Sequence, residues 1–165
     1  MRIIVDACSI ILLARATVFE ELTKWKNLTI SEEVYNEVLK GKDKKLLDAL
    51  LLERLVKEKN IGLKKANQKI VNKLINDFSL GYGEAESIAL ALESKNVLLT
   101  DNKQGRKAAK IYGLTLIGSI EVIVSLYKNK RINKEKSLSA LHILRRHGWF
   151  HDYLIEEAIK NIENE

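Results

Sequence analysis

The chain has 165 residues, of which 46% are hydrophobic and 30% are charged, and it contains one cysteine and no proline. This composition is typical of a single soluble domain, and it excludes a disulfide framework and a CxxC metal site. The longest clear apolar run, 10–14, ends at Arg15, well short of the ~18 residues of a membrane span. A lone cysteine fits a reducing compartment, so we expect a cytoplasmic protein without membrane contact.

Basic residues are concentrated in one part of the chain. There are 28 Lys and Arg against 22 Asp and Glu, a net charge of +6. Residues 101–150 hold eleven basic side chains against three acidic ones, whereas residues 151–165 hold one against five. A basic segment suits a polyanionic partner such as RNA or DNA, although a lysine-rich solvated surface gives the same pattern.

Short apolar strands alternate with helices along the chain. The first predicted elements are a strand at 2–6, a helix at 7–25, a strand at 28–30, and helices at 32–40, 43–55, 63–78 and 84–94. They are followed by a strand at 97–100, a helix at 103–112, a strand at 114–117, a helix at 119–128 and two closing helices. This alternation predicts an α/β fold with a parallel sheet covered by helices on both faces.

Two carboxylates follow predicted strands directly. Asp6 ends the first strand and Asp101 follows the strand at 97–100. Ligands of parallel sheets bind at the carboxyl ends of the strands, so both side chains are candidates for a site. Either aspartate alone is also a common turn or helix-capping residue.

Two helical acids strengthen this candidate site. Glu37 lies at the flank of the buried face of its helix, and Glu84 opens a helix after Gly83, where the helix dipole favours negative charge. Four clustered carboxylates repel one another unless a cation compensates them, and Mg²⁺ or Mn²⁺ prefers oxygen ligands. The sequence therefore predicts an acidic metal pocket formed by Asp6, Glu37, Glu84 and Asp101.

Several segments together resemble the PIN domain, most closely its PilT/VapC-like ribonuclease branch. The matching segments, in the family's order and spacing, are 3–9, 31–38, 83–91, 98–101, 105–109 and 113–118. The resemblance covers 2–127, and it implies a three-layer α/β/α fold with a mostly parallel five-stranded sheet. We expect one domain over 1–165, with a motif-bearing core at 2–127 and a C-terminal helical extension at 128–165.

The resemblance also implies an activity and partners. Asp6, Glu37, Glu84 and Asp101 match the family's acidic quartet, which holds Mg²⁺ or Mn²⁺ for the hydrolysis of RNA phosphodiester bonds. Many members of this branch are toxins that a small antitoxin holds in check, and relatives commonly form dimers. By this resemblance the chain is an endoribonuclease toxin with RNA as its substrate, a cognate antitoxin and a homodimeric state.

Three further residues are candidate supporting groups. Ser9 lies near the pocket or caps the first helix, and we favour the cap. Glu86 competes with Glu84 for the third acidic position, which we assign to Glu84 because it begins the helix. Asn102 stands where many relatives carry a second acid, so a metal ligand is lost if the family's register falls there.

A basic helix follows Asp101 and is the candidate RNA-binding element. Its cationic side chains are Lys103, Arg106, Lys107 and Lys110. They are placed to bind phosphates beside the cleavage point, Arg106 foremost, or they form an ordinary solvated helix face. Trp149 and Phe150 are predicted to be packing anchors or an oligomer contact rather than base-stacking groups.

Other functions receive less support. The histidines at 142, 147 and 151 lack an acid or cysteine that completes a zinc site, and Cys8 has no nearby catalytic partner. A phosphate-accepting domain requires an acid pair that the Asp6 segment lacks, and the glycine-rich nucleotide motifs are absent from the sequence. The main alternative is a catalytically degenerate PIN module that binds RNA or a protein partner.

Overall fold

The computed structural model describes residues 2–41 and 46–165. Its strands are β1 (Ile3–Val5), β2 (Leu28–Ser31), β3 (Ile61–Lys64), β4 (Val97–Leu99) and β5 (Leu116–Ile117). The first helices are α1 (Ala7–Arg15), α2 (Phe19–Trp25), α3 (Glu32–Leu39), α4 (Leu47–Lys57) and α5 (Gln68–Phe78). The others are α6 (Tyr82–Ser94), α7 (Lys103–Ile111), α8 (Ser119–Lys128), α9 (Lys134–His147) and α10 (Asp152–Glu163).

The five strands form one parallel sheet, which confirms the predicted fold class. Their order is β3-β2-β1-β4-β5, and every neighbouring pair is parallel. The chain moves outward from β1 to β2 and β3, then returns to the other side of β1 with β4 and β5. The strand order therefore reverses between β1 and β4, and a crevice opens there at the carboxyl ends of the strands. Val5 stands opposite Leu99 at this point.

Alternate residues of the strands pack into two separate cores, which makes the fold three-layered. Ile3 and Val5 of β1 join a cluster with side chains of α1, α2, α3, α4, α8, α9 and α10. Ile4 points to the opposite face and joins side chains of α5, α6 and α7. Leu141 of α9 and Ile155 of α10 belong to the first cluster, so the C-terminal helices pack in the same core as β1.

The segment before α5 differs from the sequence prediction. Residues 61–64, partly included in the predicted helix 63–78, form the edge strand β3, and Asn67 caps α5 through the Lys69 backbone N–H. Only Ile61 of this strand is buried, so it lacks the apolar run that marks the other strands. The predicted start of the helix at 43–55 falls outside the described residues, and the described part of α4 begins at Leu47.

The predicted helix 7–25 is in fact two helices. Thr17 adopts a left-handed conformation with φ of 61°, which ends the path of α1. The turn directs Val18 and Phe19 into the core, where both are fully buried. Over the described residues, the helices are too short and too polar to cross a lipid bilayer.

Candidate active site

Asp6 lies at the carboxyl end of β1, at the point where the strand order reverses. It is 4% exposed and caps α1, because its Oδ1 accepts the backbone N–H of Ser9 at 2.9 Å. Its Oδ2 accepts a hydrogen bond from the hydroxyl of Thr100, which follows β4. The carboxylate is therefore held in place from both strands that flank the crevice.

Asp101 lies on the β4 side of the same crevice. Its Oδ2 accepts the Ser9 hydroxyl at 2.8 Å, and its Oδ1 accepts the Ser119 backbone N–H at 2.8 Å. The Ser119 hydroxyl donates to Oδ2 as well. The amino-terminal turn of α8 thus supports the second aspartate. Sequence reasoning missed Ser119 and Thr100, for which the only signal was a hydroxyl residue beside a strand end.

Ser9 links the two aspartates, and the expectation that it caps α1 is wrong. Its backbone N–H donates to Asp6 while its hydroxyl donates to Asp101. Asp6 is the capping residue, because it stands immediately before the helix and its carboxylate reaches the third helical N–H. The side chain of Ser9 is thereby free to point into the crevice, where it is fully buried.

Glu84 and Glu37 approach the same region from α6 and α3. The α6 helix begins at Tyr82 rather than at Glu84, so Glu84 is its third residue, and its carboxylate accepts the Gly81 N–H at 3.3 Å. Glu84 lines a small cleft together with Asp6 and Thr100. The Glu37 carboxylate lies against Gly83, where a Cβ would stand 2.6 Å from Glu37 Oε2. Gly83 therefore leaves the space that the Glu37 carboxylate occupies.

Glu86 makes contacts of a different kind. It is 2% exposed, and it accepts the backbone N–H of Glu33 at 3.1 Å and of Ala66 at 3.3 Å. These bonds join α6 to the first turn of α3 and to the loop before α5. Glu86 therefore serves as a structural link, and Glu84 is the acid of this pair that lines a cleft with Asp6.

The residues after Asp101 divide into structural and exposed groups. Asn102 caps α7 by accepting the Gly105 N–H at 2.8 Å, which accounts for an amide in this position. Arg106 is half-buried and donates from Nη1 to the carbonyl oxygens of Thr100 and Ile117, at 2.8 and 3.4 Å. This guanidinium ties the ends of β4 and β5 together. The cationic side chains of α7 left exposed are Lys103, Lys107 and Lys110.

The acids make the crevice electrostatically negative. Burial raises the pKa of Asp6 to about 6, against stabilising hydrogen bonds from Thr100 and Ser9, and the charge of Asp101 adds to the rise. The pKa of Cys8 is raised to about 12 by desolvation and by repulsion from Asp6, Asp101 and Glu84. Cys8 is solvent-accessible, yet its thiol stays protonated at neutral pH. Desolvation, followed by the charges of Glu33 and Glu84, also raises the pKa of Glu37.

The donor set of the crevice fits a hard divalent cation in its chemistry. All four acids supply carboxylate oxygens, and the buried Asp6 carries a charge that no cationic side chain offsets among its hydrogen-bond partners. Within residues 2–41 and 46–165, however, no three acidic, histidine or cysteine side chains stand in a metal-holding arrangement. The oxygens of Asp6 and Asp101 accept hydroxyl and amide hydrogens, and Glu84 turns back toward Gly81.

Replacing Gly83 by alanine is expected to separate function from stability. The new methyl group must displace the Glu37 carboxylate, while an alanine inside a helix gains about 1 kcal/mol over glycine. We expect Gly83→Ala to unfold at the same or a higher temperature and, if these acids hold a divalent ion, to bind Mn²⁺ about 10-fold more weakly. Calorimetric titration and thermal melting check both effects. Unchanged Mn²⁺ affinity would show that Glu37 is not a ligand of the pocket.

Trp149 is not a packing anchor within this chain, because it is 96% exposed, whereas its predicted alternative role as an oligomer contact stays a prediction. Phe150 does pack, against the core cluster that includes β1. Among the histidines, His147 lies 3.4 Å from Arg15 Nη1 through its Nδ1, and His151 stacks on Tyr153. His147 and His151 therefore contact different partners.

Taken together, these features define a three-layer α/β/α protein with an acidic site where the order of its parallel strands reverses. The family model described as DUF3368, a PIN domain, matches residues 2–164, so the chain belongs to the PIN domain family. PIN domains are generally nucleases and commonly depend on divalent metal ions. A comparison with curated proteins found no match.

Two solved structures are similar in fold. PAE2754 from Pyrobaculum aerophilum is 20% identical, with a TM-score of 0.55 over 76% of this chain and 95% of its own. The PilT N-terminus domain protein SSO1118 from Sulfolobus solfataricus P2 is 19% identical, with a TM-score of 0.50 over 76% of this chain and 92% of its own. At this identity the similarity establishes the fold.

Proposed function

We propose that this protein is an endoribonuclease that hydrolyses RNA phosphodiester bonds with Mg²⁺ or Mn²⁺, and that it acts as the toxin of a toxin–antitoxin pair. The observation that carries the nuclease proposal is the pair of aspartates at the β1/β4 crevice, joined through Ser9 and flanked by Glu84 and Glu37. Carboxylates concentrated at a strand-order reversal suit a metal-dependent phosphoryl site. The family's general nuclease activity supports the same conclusion.

The residues have distinct parts in this proposal. Asp6, Asp101, Glu84 and Glu37 would hold the ion. The chemistry that such an ion supplies when bound is activation of water at neutral pH and stabilisation of charge developing on the phosphate. Ser9, Ser119 and Thr100 orient the two aspartates through their hydrogen bonds. To reach an ion beside Asp6, Glu84 would give up its hydrogen bond with the Gly81 N–H, which is a small loss because that bond is exposed.

The exposed lysines of α7 are the proposed phosphate-binding groups. Lys103, Lys107 and Lys110 follow Asp101 directly and extend into solvent, whereas Arg106 holds the strand ends. We expect the triple change to glutamine to weaken single-stranded RNA binding and to reduce the slope of log K against log salt by about 0.7 per lysine. Titrations at several salt concentrations measure this slope. Lys57→Gln on α4 is the control, and equal slopes in both variants would contradict the assignment.

The toxin role, the antitoxin and a homodimer rest on the resemblance to the PilT/VapC-like branch. They are tested by expressing the chain alone and together with any small protein encoded beside it, and by measuring the mass of the chain in solution. Growth arrest that the neighbouring protein relieves supports the toxin role. Normal growth with full ribonuclease activity would refute the toxin role while leaving the nuclease proposal intact.

The nuclease proposal itself is tested with mixed RNA in Mn²⁺ or Mg²⁺, with EDTA and Asp6→Asn as controls. Cleavage that both controls abolish is the expected result. Cleavage that neither control affects would contradict the mechanism. Tight RNA binding without cleavage in any divalent metal would favour the degenerate module instead.

A further inference from the structure

Two cavities reach Asp101 from opposite sides of the junction between α9 and α10. The larger, about 650 Å³, lies between α8, α10 and the start of α7. The smaller, about 310 Å³, lies against α1 and the end of α9. Both are lined by Asp101, Trp149 and Phe150. The α9–α10 junction therefore separates two cavities next to the proposed active site.

The backbone of the α9–α10 junction directs Phe150 toward the core and Trp149 toward solvent. Gly148 ends α9 in an extended conformation, and a Cβ there would collide with the Phe150 ring. Phe150 thus packs closely over Gly148 and against the core cluster. Successive side chains of extended chain point in opposite directions, so Trp149 is directed into solvent. Its indole is 96% exposed, with both faces open to a ligand.

The cavities combine apolar walls with cationic rims. Ile120, Val124 and Leu154 line the larger one, together with Lys103, Arg106 and Lys128. The smaller one contains Arg15. Apart from Asp101, the acids that line them are Glu121 and Glu157, and the Glu121 carboxylate accepts the Gly118 N–H at the start of α8.

With Asp101 included, four cationic side chains line the two cavities against three acidic ones. Asp101 is one of the proposed ligands of the metal ion, and the lining apart from it carries an excess of positive charge, which suits an anionic occupant. Its remaining part must be flat and apolar enough to pack on an exposed indole. Unpaired nucleotides have both properties, since a phosphate carries the charge and a base stacks on aromatic side chains.

We infer that Trp149 is a stacking platform for an unpaired base next to the scissile phosphate, and that the two cavities hold the nucleotides on either side of it. This inference rests on the proposed ribonuclease function, and it assigns to Trp149 the binding of an unpaired base beside the site. A base within a duplex is already stacked on its neighbours and cannot lie on the indole. Trp149 acts in binding, and the acidic residues act in hydrolysis.

Trp149 fluorescence provides a direct test. Trp25 and Trp149 are the two tryptophans of the chain, so in Trp25→Phe the indole signal comes from Trp149 alone. The probe is an eight-nucleotide single-stranded RNA in EDTA, with the same sequence as a duplex for comparison. We expect the single strand to quench the Trp149 emission and the duplex to quench it much less. Equal quenching by the single strand and the duplex, or no quenching by either, would overturn the inference.

Two substitutions in the otherwise unchanged chain separate stacking from apolar contact. Trp149→Leu keeps apolar bulk without a ring, and we expect it to weaken single-stranded RNA binding about 5- to 100-fold. Trp149→Phe keeps a ring and should stay within about 3-fold of the natural protein. Equal RNA affinity in all three proteins would overturn the inference. So would unchanged RNA affinity with a change of mass in solution, because Trp149 would then be a contact between copies.

Binding in EDTA is measured apart from cleavage, so the two proposals can fail separately. One outcome is that RNA quenches the Trp149 emission and Trp149→Leu binds RNA more weakly, while the natural protein cleaves RNA in no metal. That outcome would support the base platform and refute the nuclease. If Trp149→Leu cleaves RNA at the full rate and binds it with unchanged affinity, the platform is refuted and the nuclease proposal is unaffected.

Discussion

Replacing Asp6 by asparagine is expected to stabilise the metal-free protein while abolishing RNA cleavage. Folding raises the pKa of Asp6 from 3.8 to about 6, so the ionised carboxylate is disfavoured in the folded state. At pH values above 6, this rise in the pKa lowers the free energy of unfolding by about 3 kcal/mol. Asparagine caps a helix as well as aspartate does, and its amide group donates to Thr100 instead of accepting from it.

The pH dependence gives this expectation a definite sign. The folded state holds the proton more tightly than the unfolded state, so the natural protein loses stability as pH rises from about 4 to about 6. Asp6→Asn lacks this loss, and the difference should vanish below about pH 4. In EDTA at pH 8 we expect its melting temperature to be higher by about 5–10 °C.

The same variant is expected to lose RNA cleavage at least about 100-fold in Mn²⁺, because a proposed ligand becomes a neutral amide. Melting curves across pH and cleavage time courses measure the two effects. An asparagine variant that is less stable than the natural protein at pH 8 would show that the charged carboxylate stabilises the fold. That result would contradict the conclusion that burial disfavours the charged form of Asp6.

Glu86 and Glu84 are expected to respond in opposite ways to removal of their carboxylates. Glu86→Ala leaves the N–H groups of Glu33 and Ala66 without their acceptor, which should destabilise the protein by about 3 kcal/mol. Glu84→Ala removes one exposed bond to Gly81, with a loss of about 1 kcal/mol or less. Cleavage should disappear in Glu84→Ala, since Glu84 is a proposed metal ligand that lines a cleft with Asp6.

Urea unfolding and cleavage assays on both variants check this contrast. Glu86→Gln is the control that folds, since the amide oxygen still accepts one of the two N–H groups. We expect Glu86→Gln to retain cleavage at temperatures where it is folded. If folded Glu86→Gln loses cleavage and Glu84→Ala cleaves fully, the proposed assignment is contradicted, because Glu86 and not Glu84 would then be the acid of the site.

The sheet and its acidic edge were predictable because buried parallel strands leave a strong sequence signal. The runs at 3–5 and 97–99 are continuously apolar, and an aspartate follows each within two residues, so strand and candidate ligand appear together. The edge strand β3 carries no such run, because only Ile61 is buried there. Its presence was implied by the family resemblance and not by its own residues.

The hydrogen-bond network around the aspartates was beyond sequence reasoning. Ser119 lies eighteen residues after Asp101, and the start of α8 meets it only because β5 pairs with β4. The role of Ser9 was misjudged for a similar reason, since a serine near a helix start looks like a cap until Asp6 is seen to occupy that position. The exposure of Trp149 likewise depends on how Phe150 packs over Gly148.

Crystals soaked in Mn²⁺ would test most directly whether the acids of four separate segments share one ion. We predict an anomalous scattering peak at the β1/β4 crevice, with oxygen atoms of Asp6 and Asp101 as ligands and with Glu84 turned away from Gly81. The peak should be absent from Asp6→Asn crystals treated in the same way. Strong Mn²⁺ peaks elsewhere, with an empty crevice and unchanged side chains, would contradict the proposed metal site.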